Sequence, residues 1–163
     1  MRILAIDPGT QMGWCYAESG ILESGAENFA PKRGDSRGMR YLLFNRWLAD
    51  AAKDATMIAY ERSHMRGGAA TEILHGFTTR IDEMCAVNDL DSMAVHSATI
   101  KKHATGSGKA SKDDMLEAAI HAWPEQFYDK VIAALGEGTL KANHPAYDQA
   151  DALFLMSYIL TVV

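Results

Sequence analysis

The chain holds 163 residues, 48% of them hydrophobic and 23% charged, enough for one domain with a sound buried core. It has no long low-complexity tract, which excludes a fibrous or disordered protein, and its net charge of −5 argues mildly against a nucleic-acid partner. No apolar run is long and unbroken enough to span a bilayer, and the first residues lack the basic and apolar regions of a signal peptide, so a cytoplasmic protein is expected.

The first apolar run, Met1 to Asp7, reads as a strand buried on both faces and is ended by the turn Pro8-Gly9-Thr10. Gly13 to Ala17 and Ile21 to Phe29 are two more strands, joined by Glu18-Ser19-Gly20, and the short links suggest antiparallel hairpins. Pro31 to Gly38 is a basic loop. Met39, Leu42, Leu43, Trp47 and Ala51 then recur at helical spacing, marking an amphipathic helix over 39–53. Thr56 to Tyr60 is a fourth strand ending at Glu61. After a polar connection from Arg62 to Gly68 comes a helix of about 18 residues, reaching Val87, and Met93 to His96 is a fifth strand. A short helical stretch at 99–103 leads into the loop Thr105 to Lys109. Ser111, with Asp114 three residues on, opens another helix through a capping box. Trp123-Pro124 stops it, residues 124–146 carry no clear pattern, and a last helix runs from Tyr147 to Thr161. This order suits an α/β fold in which a mixed five-stranded sheet is flanked by helices on both faces, the ribonuclease-H-like arrangement.

Charge is unevenly spread. Residues 31–46 carry Lys32, Arg33, Arg37, Arg40 and Arg46 against Asp35 alone, and residues 97–112 carry Lys101, Lys102, Lys109 and Lys112 with no acid. Such patches matter more for phosphate binding than the total does. Cys15 and Cys85 stand in no zinc spacing and are expected to be reduced core thiols. The six histidines show no metal spacing, and Met65, Met93, Met115 and Met156 read as core filler.

Four acids stand where acids are costly. Asp7 and Glu61 each end an apolar strand, and Asp148 and Asp151 share one face of the last, mostly apolar helix at i and i+3. Taken singly each has an ordinary explanation: Asp7 starting a turn, Glu61 as a solvated strand end, Asp148 as an N-cap, Asp151 paired with a distant base. Jointly they form the set that a hard divalent cation explains, and two-metal phosphodiester hydrolysis needs such acids on converging elements.

The sequence resembles the RuvC-type Holliday junction resolvases. Ile3-Leu4-Ala5-Ile6-Asp7-Pro8-Gly9-Thr10 with Gly13 beyond it is similar to that family's first motif, and Tyr60-Glu61 with its polar loop to the second. Thr99 to Lys102 followed by Thr105 to Lys112 resembles its basic glycine loop, and Asp148-Gln149-Ala150-Asp151-Ala152-Leu153 its closing motif. The resemblance implies one nuclease domain over 1–163, in which Asp7, Glu61, Asp148 and Asp151 are catalytic and bind two magnesium or manganese ions. It implies that Lys101 and Lys112 contact phosphate, and that the chain acts as a homodimer making paired symmetric nicks in four-way junctions. Lys109 beside Gly106-Ser107-Gly108 also suits phosphate approach, and Arg62 and His64 are further candidate DNA contacts. Well-studied members carry an aromatic where this chain has His64, which could stack on bases less extensively. The other reading for these side chains is a solvated loop. Alternatives are a broader nuclease for forks, flaps and three-way junctions, or a non-catalytic DNA-binding module. The phosphate loop of actin-like ATPases also resembles residues 6–13, but those proteins need two such domains.

Overall fold

The computed structural model describes residues 1–62, 67–127, 129, 131 and 140–163; the His64 and Met65 readings fall outside them. Strands β1 (Arg2–Asp7), β2 (Gln11–Glu18) and β3 (Ile21–Asn28) are followed by α1 (Met39–Ala51), β4 (Met57–Arg62), α2 (Ala69–Asn88), β5 (Asp91–His96), α3 (Ser97–Thr105), α4 (Lys112–Ala122) and α5 (Pro145–Val162). No described helix is long and apolar enough to cross a membrane.

The sheet order is β3-β2-β1-β4-β5. The β1–β2 and β2–β3 pairs are antiparallel, as their short links require, and β1–β4 and β4–β5 are parallel. One edge of the sheet therefore collects the C-terminal ends of β1, β3, β4 and β5 and the start of β2. Parallel strands joined by helices place ligand-facing loops at such an edge.

Alternation along the strands divides two cores. Ile3, Ala5, Cys15, Ala17 and Ala59 face α5, which is in turn covered by α3 and α4. Leu4, Ile6, Met12, Ile58 and Tyr60 face α1 and α2. Helix α5 is buried nearly all round, which accounts for its lack of an amphipathic stripe. Both cysteines are buried free thiols, as expected, and burial pushes Cys15 up to about 12 and Cys85 to about 11.

Several boundaries differ from the sequence reading. Strand β2 starts at Gln11, where the ladder to Asn28 extends the hairpin, and β5 starts at Asp91, opposite Met57. Helix α3 spans 97–105 and ends where Gly106 turns left-handed (φ 81°). The Ser111–Asp114 capping box is present. Helix α5 opens earlier than Tyr147: His144 is its N-cap, its Nδ1 accepting from the Ala146 N–H at 3.2 Å. The capping role thus falls to His144 and not to Asp148.

Candidate functional site

The parallel register Ile6↔Tyr60 places Asp7 and Glu61 one step beyond it, at the end of neighbouring central strands. Ile6 and Tyr60 point toward α1 and α2, so alternation turns Asp7 and Glu61 to the face covered by α5. Across β2 the partner of Asp7 is Gly13. A Cβ there would overlap the Asp148 carbonyl oxygen, so the bare backbone is what lets the first turn of α5 lie against the sheet. Asp148 and, one turn on, Asp151 are thereby brought over the two strand ends.

All four acids are half-buried. The Asp7 carboxyl is held well above the usual range by desolvation, then by the negative charges of Glu61, Asp151 and Asp148, with Lys112 opposing. Asp151 is pushed up to about 7 by desolvation and by Glu61 and Asp148, against Lys112 and Lys101. Desolvation also raises Asp148, offset by Lys112 and by a hydrogen bond from the Gln11 side chain. Elements from distant parts of the chain thus meet in one electrostatic cluster. Its members repel one another when ionised, so it gains free energy by taking up positive charge. Clustered hard oxygen donors fit a divalent cation. They are neighbours rather than a finished cage: among the described residues no group of three or more His, Cys, Asp or Glu side chains stands in ligand geometry for a metal ion.

The candidate cations occupy different settings. Lys112, exposed at the first position of α4, is the basic residue common to the surroundings of Asp7, Asp148 and Asp151. Its helix start is fixed twice, by the capping box and by Tyr147 Oη donating to Asp113 Oδ1 at 2.7 Å, which ties α4 to α5. Lys101 donates through Nζ to the Ala110 carbonyl at 2.8 Å and so pins the glycine loop while lying near Asp151. Lys109 is exposed in that loop. Arg62 is exposed at the end of β4, its Nη1 3.4 Å from His96 Nε2.

Two contributors escaped the sequence reading. Gln11 donates through Nε2 to the Asn143 carbonyl at 2.8 Å and also hydrogen-bonds the Asp148 carboxylate, joining the start of β2 to the approach of α5. Gln149, buried between the two helical acids, donates to Ser24 Oγ at 2.8 Å, and Ser24 donates to Gln126 Oε1 at 3.0 Å. Buried amides are costly unless bonded, so this network fixes the rotation of α5. A buried Gln flanked by acids was its only trace in the sequence.

No family model matches the sequence, and no curated protein does. Among solved structures the chain is similar to Thermus thermophilus RuvC, with a TM-score of 0.64 at 16% identity over 99% of this chain and 97% of that one. It is similar also to T. thermophilus RuvC in complex with Holliday junction substrate, with a TM-score of 0.67 at 14% identity over 99% and 96%. Fowlpox virus resolvase, in complex with substrate Holliday junction DNA, gives 0.61 at 11% identity over 100% and 99%. The fold is that of the RuvC-type resolvases, a ribonuclease-H-like mixed sheet, as the motifs predict.

Proposed function

We propose that residues 1–163 form a single nuclease domain that cuts branched DNA, four-way junctions above all, with divalent cations held by Asp7, Glu61, Asp148 and Asp151. The observation that carries this reading is the convergence of those four carboxylates from β1, β4 and α5 at one edge of the sheet. The fold supports it, because the neighbours with bound DNA are Holliday junction complexes. Bound there, magnesium or manganese would supply an activated water and neutralise charge on the phosphoryl oxygens.

The chain's own residues prepare the site. Asp7 and Glu61 present oxygens from rigid strand ends, Asp148 and Asp151 from a helix that cannot rotate without breaking the Gln149–Ser24 bond. Gln11 orients Asp148. Lys112 brings positive charge to the same place, which favours a phosphodiester entering among acids. The described residues of one chain hold one such cluster, whereas resolving a four-way junction takes two symmetric cuts. A homodimer, two clusters related by a two-fold axis, fits that substrate symmetry.

A cleavage panel of four-way junction, three-way junction, flap and linear duplex, with and without divalent metal, tests the reading. Wild-type protein is expected to nick the four-way junction in magnesium or manganese only, and Asp7→Asn to bind it without nicking. Undiminished cutting by Asp7→Asn would remove that residue from the chemistry. Sedimentation of the protein as a monomer at working concentration would count against the dimer.

A further inference from the structure

The cations that crowd the acids, Lys101 and Lys112, both lie on the α5 face of the sheet, on α3 and α4. The other basic run in the sequence, residues 31–46, lies elsewhere. Strand β3 ends at Asn28 at the same edge as Asp7, and the Phe29 N–H donates to the Thr10 carbonyl at 2.7 Å, so the following loop starts beside the Asp7 turn. The loop returns to α1, which belongs to the opposite face. Lys32, Arg33 and Arg37 in it are exposed. Its sole acid, Asp35, accepts from the Lys32 backbone N–H at 2.9 Å and closes a turn. Arg40, half-buried at the start of α1, donates through Nη1 to Thr10 Oγ1 at 2.9 Å and anchors the segment three residues after Asp7.

We infer that the 32–37 loop is a second phosphate-binding surface, which holds a duplex arm of the substrate on the α1 side of the carboxylate cluster. The inference rests on the nuclease reading for the identity of the polyanion. Its physical basis is placement. Cations on both faces of one sheet edge, with the acids between them, give a path along which a duplex meets phosphate-binding groups before and after the bond presented to the cluster. Positive charge on one face alone would leave the arm beyond the acids facing a net-negative protein. The guanidinium groups of Arg33 and Arg37 suit phosphate oxygens, and an anchored turn limits the entropy lost on binding.

The test is the salt dependence of binding to a synthetic four-way junction in EDTA, paired with single-turnover cleavage in magnesium at saturating protein. The Arg33→Ala/Arg37→Ala double variant is expected to lower the log–log salt slope by about 2, since each phosphate that is no longer neutralised removes about 0.9. Its saturated cleavage rate is expected to stay within about twofold of wild type, because the acids and Lys112 are untouched. Arg33→Lys/Arg37→Lys should keep the wild-type slope, which separates charge from folding. An unchanged slope in the alanine variant, or an equal fall in the lysine variant, would overturn the inference. Failure of the wild-type protein to bind or cut branched DNA at all would instead overturn the nuclease reading.

Discussion

The two faces of the sheet are built from different materials. Toward α1 and α2 the core is aromatic: Phe44 and Phe77 meet edge to face with centroids 5.0 Å apart, and Phe29 and Tyr41 pack around them. Toward α5 the core is aliphatic, with Ile3, Leu153 and Leu155 in it, but small residues line the seam between helix and sheet: Ala5, Ala59, Ala150 and Ala152 are fully buried, and Gly13 lies against the helix backbone. A glycine serves each face. Gly76 makes room for the Tyr41 ring, a side chain, whereas Gly13 makes room for the backbone of α5 itself. Bulky rings hold helices at a distance and stabilise by area buried. Small residues let a helix come close enough to set two acids over the ends of two strands. The first face is a platform and the second positions chemistry, so damage to each should read out differently.

Phe44→Ala breaks the aromatic face. Truncating a fully buried phenylalanine costs about 3–5 kcal/mol, and for a chain of this size that is roughly a 10 °C fall in melting temperature. Cleavage per folded molecule at low temperature should persist, because nothing near the acids moves. Equal loss of stability and of activity in the folded fraction would mean that the two faces are not separable.

Gly13→Ala attacks the other face. The added methyl meets a helix carbonyl, which cannot swing aside as a side chain could, so α5 must shift. About 1–3 kcal/mol of stability should be lost. Junction cleavage should fall much further than that stability loss explains, since Asp148 and Asp151 move with the helix. Normal activity from this variant would show that the close approach is not what places the helical acids.

The acids themselves should weigh on the fold. A carboxyl raised in the folded state binds its proton more tightly there than in the unfolded chain, so its favourable contribution is complete at low pH. That contribution is lost as pH rises from the ordinary Asp range through its folded value, about 7 for Asp151. In EDTA, Asp151→Asn should therefore melt a few degrees above wild type at pH 8, with the gap closing as pH falls toward 4. A gap that is independent of pH would show that repulsion within the cluster is not its source.

Sequence patterning reached the strand-end acids because a carboxylate closing an apolar run is conspicuous, and it reached Asp148 and Asp151 because i, i+3 spacing fixes a shared helix face. It could also place the Ser111–Asp114 cap, an interaction made within one turn. The hydrogen bonds joining Gln11 to Asp148 and Gln149 to Ser24 span more than a hundred positions, and no periodicity encodes them. The start of α5 carries no sequence mark for a related reason: His144 caps it through an imidazole nitrogen, outside the Ser, Thr, Asp and Asn set that marks most N-caps. For Lys101 the resemblance implies a phosphate contact, and spacing gives no sign of the hydrogen bond that its ammonium donates to the Ala110 carbonyl, a partner set by how the loop folds back.

Calorimetric titration of manganese into the wild-type protein and into Asp7→Asn/Asp151→Asn at pH 7.5 addresses the cluster most directly. The wild type should bind the ion with proton release, since Asp151, raised to about 7, is still partly protonated at this pH, and the double variant should show neither effect. Manganese uptake of equal affinity by both proteins would place the cation elsewhere and contradict the assignment of the four carboxylates to it.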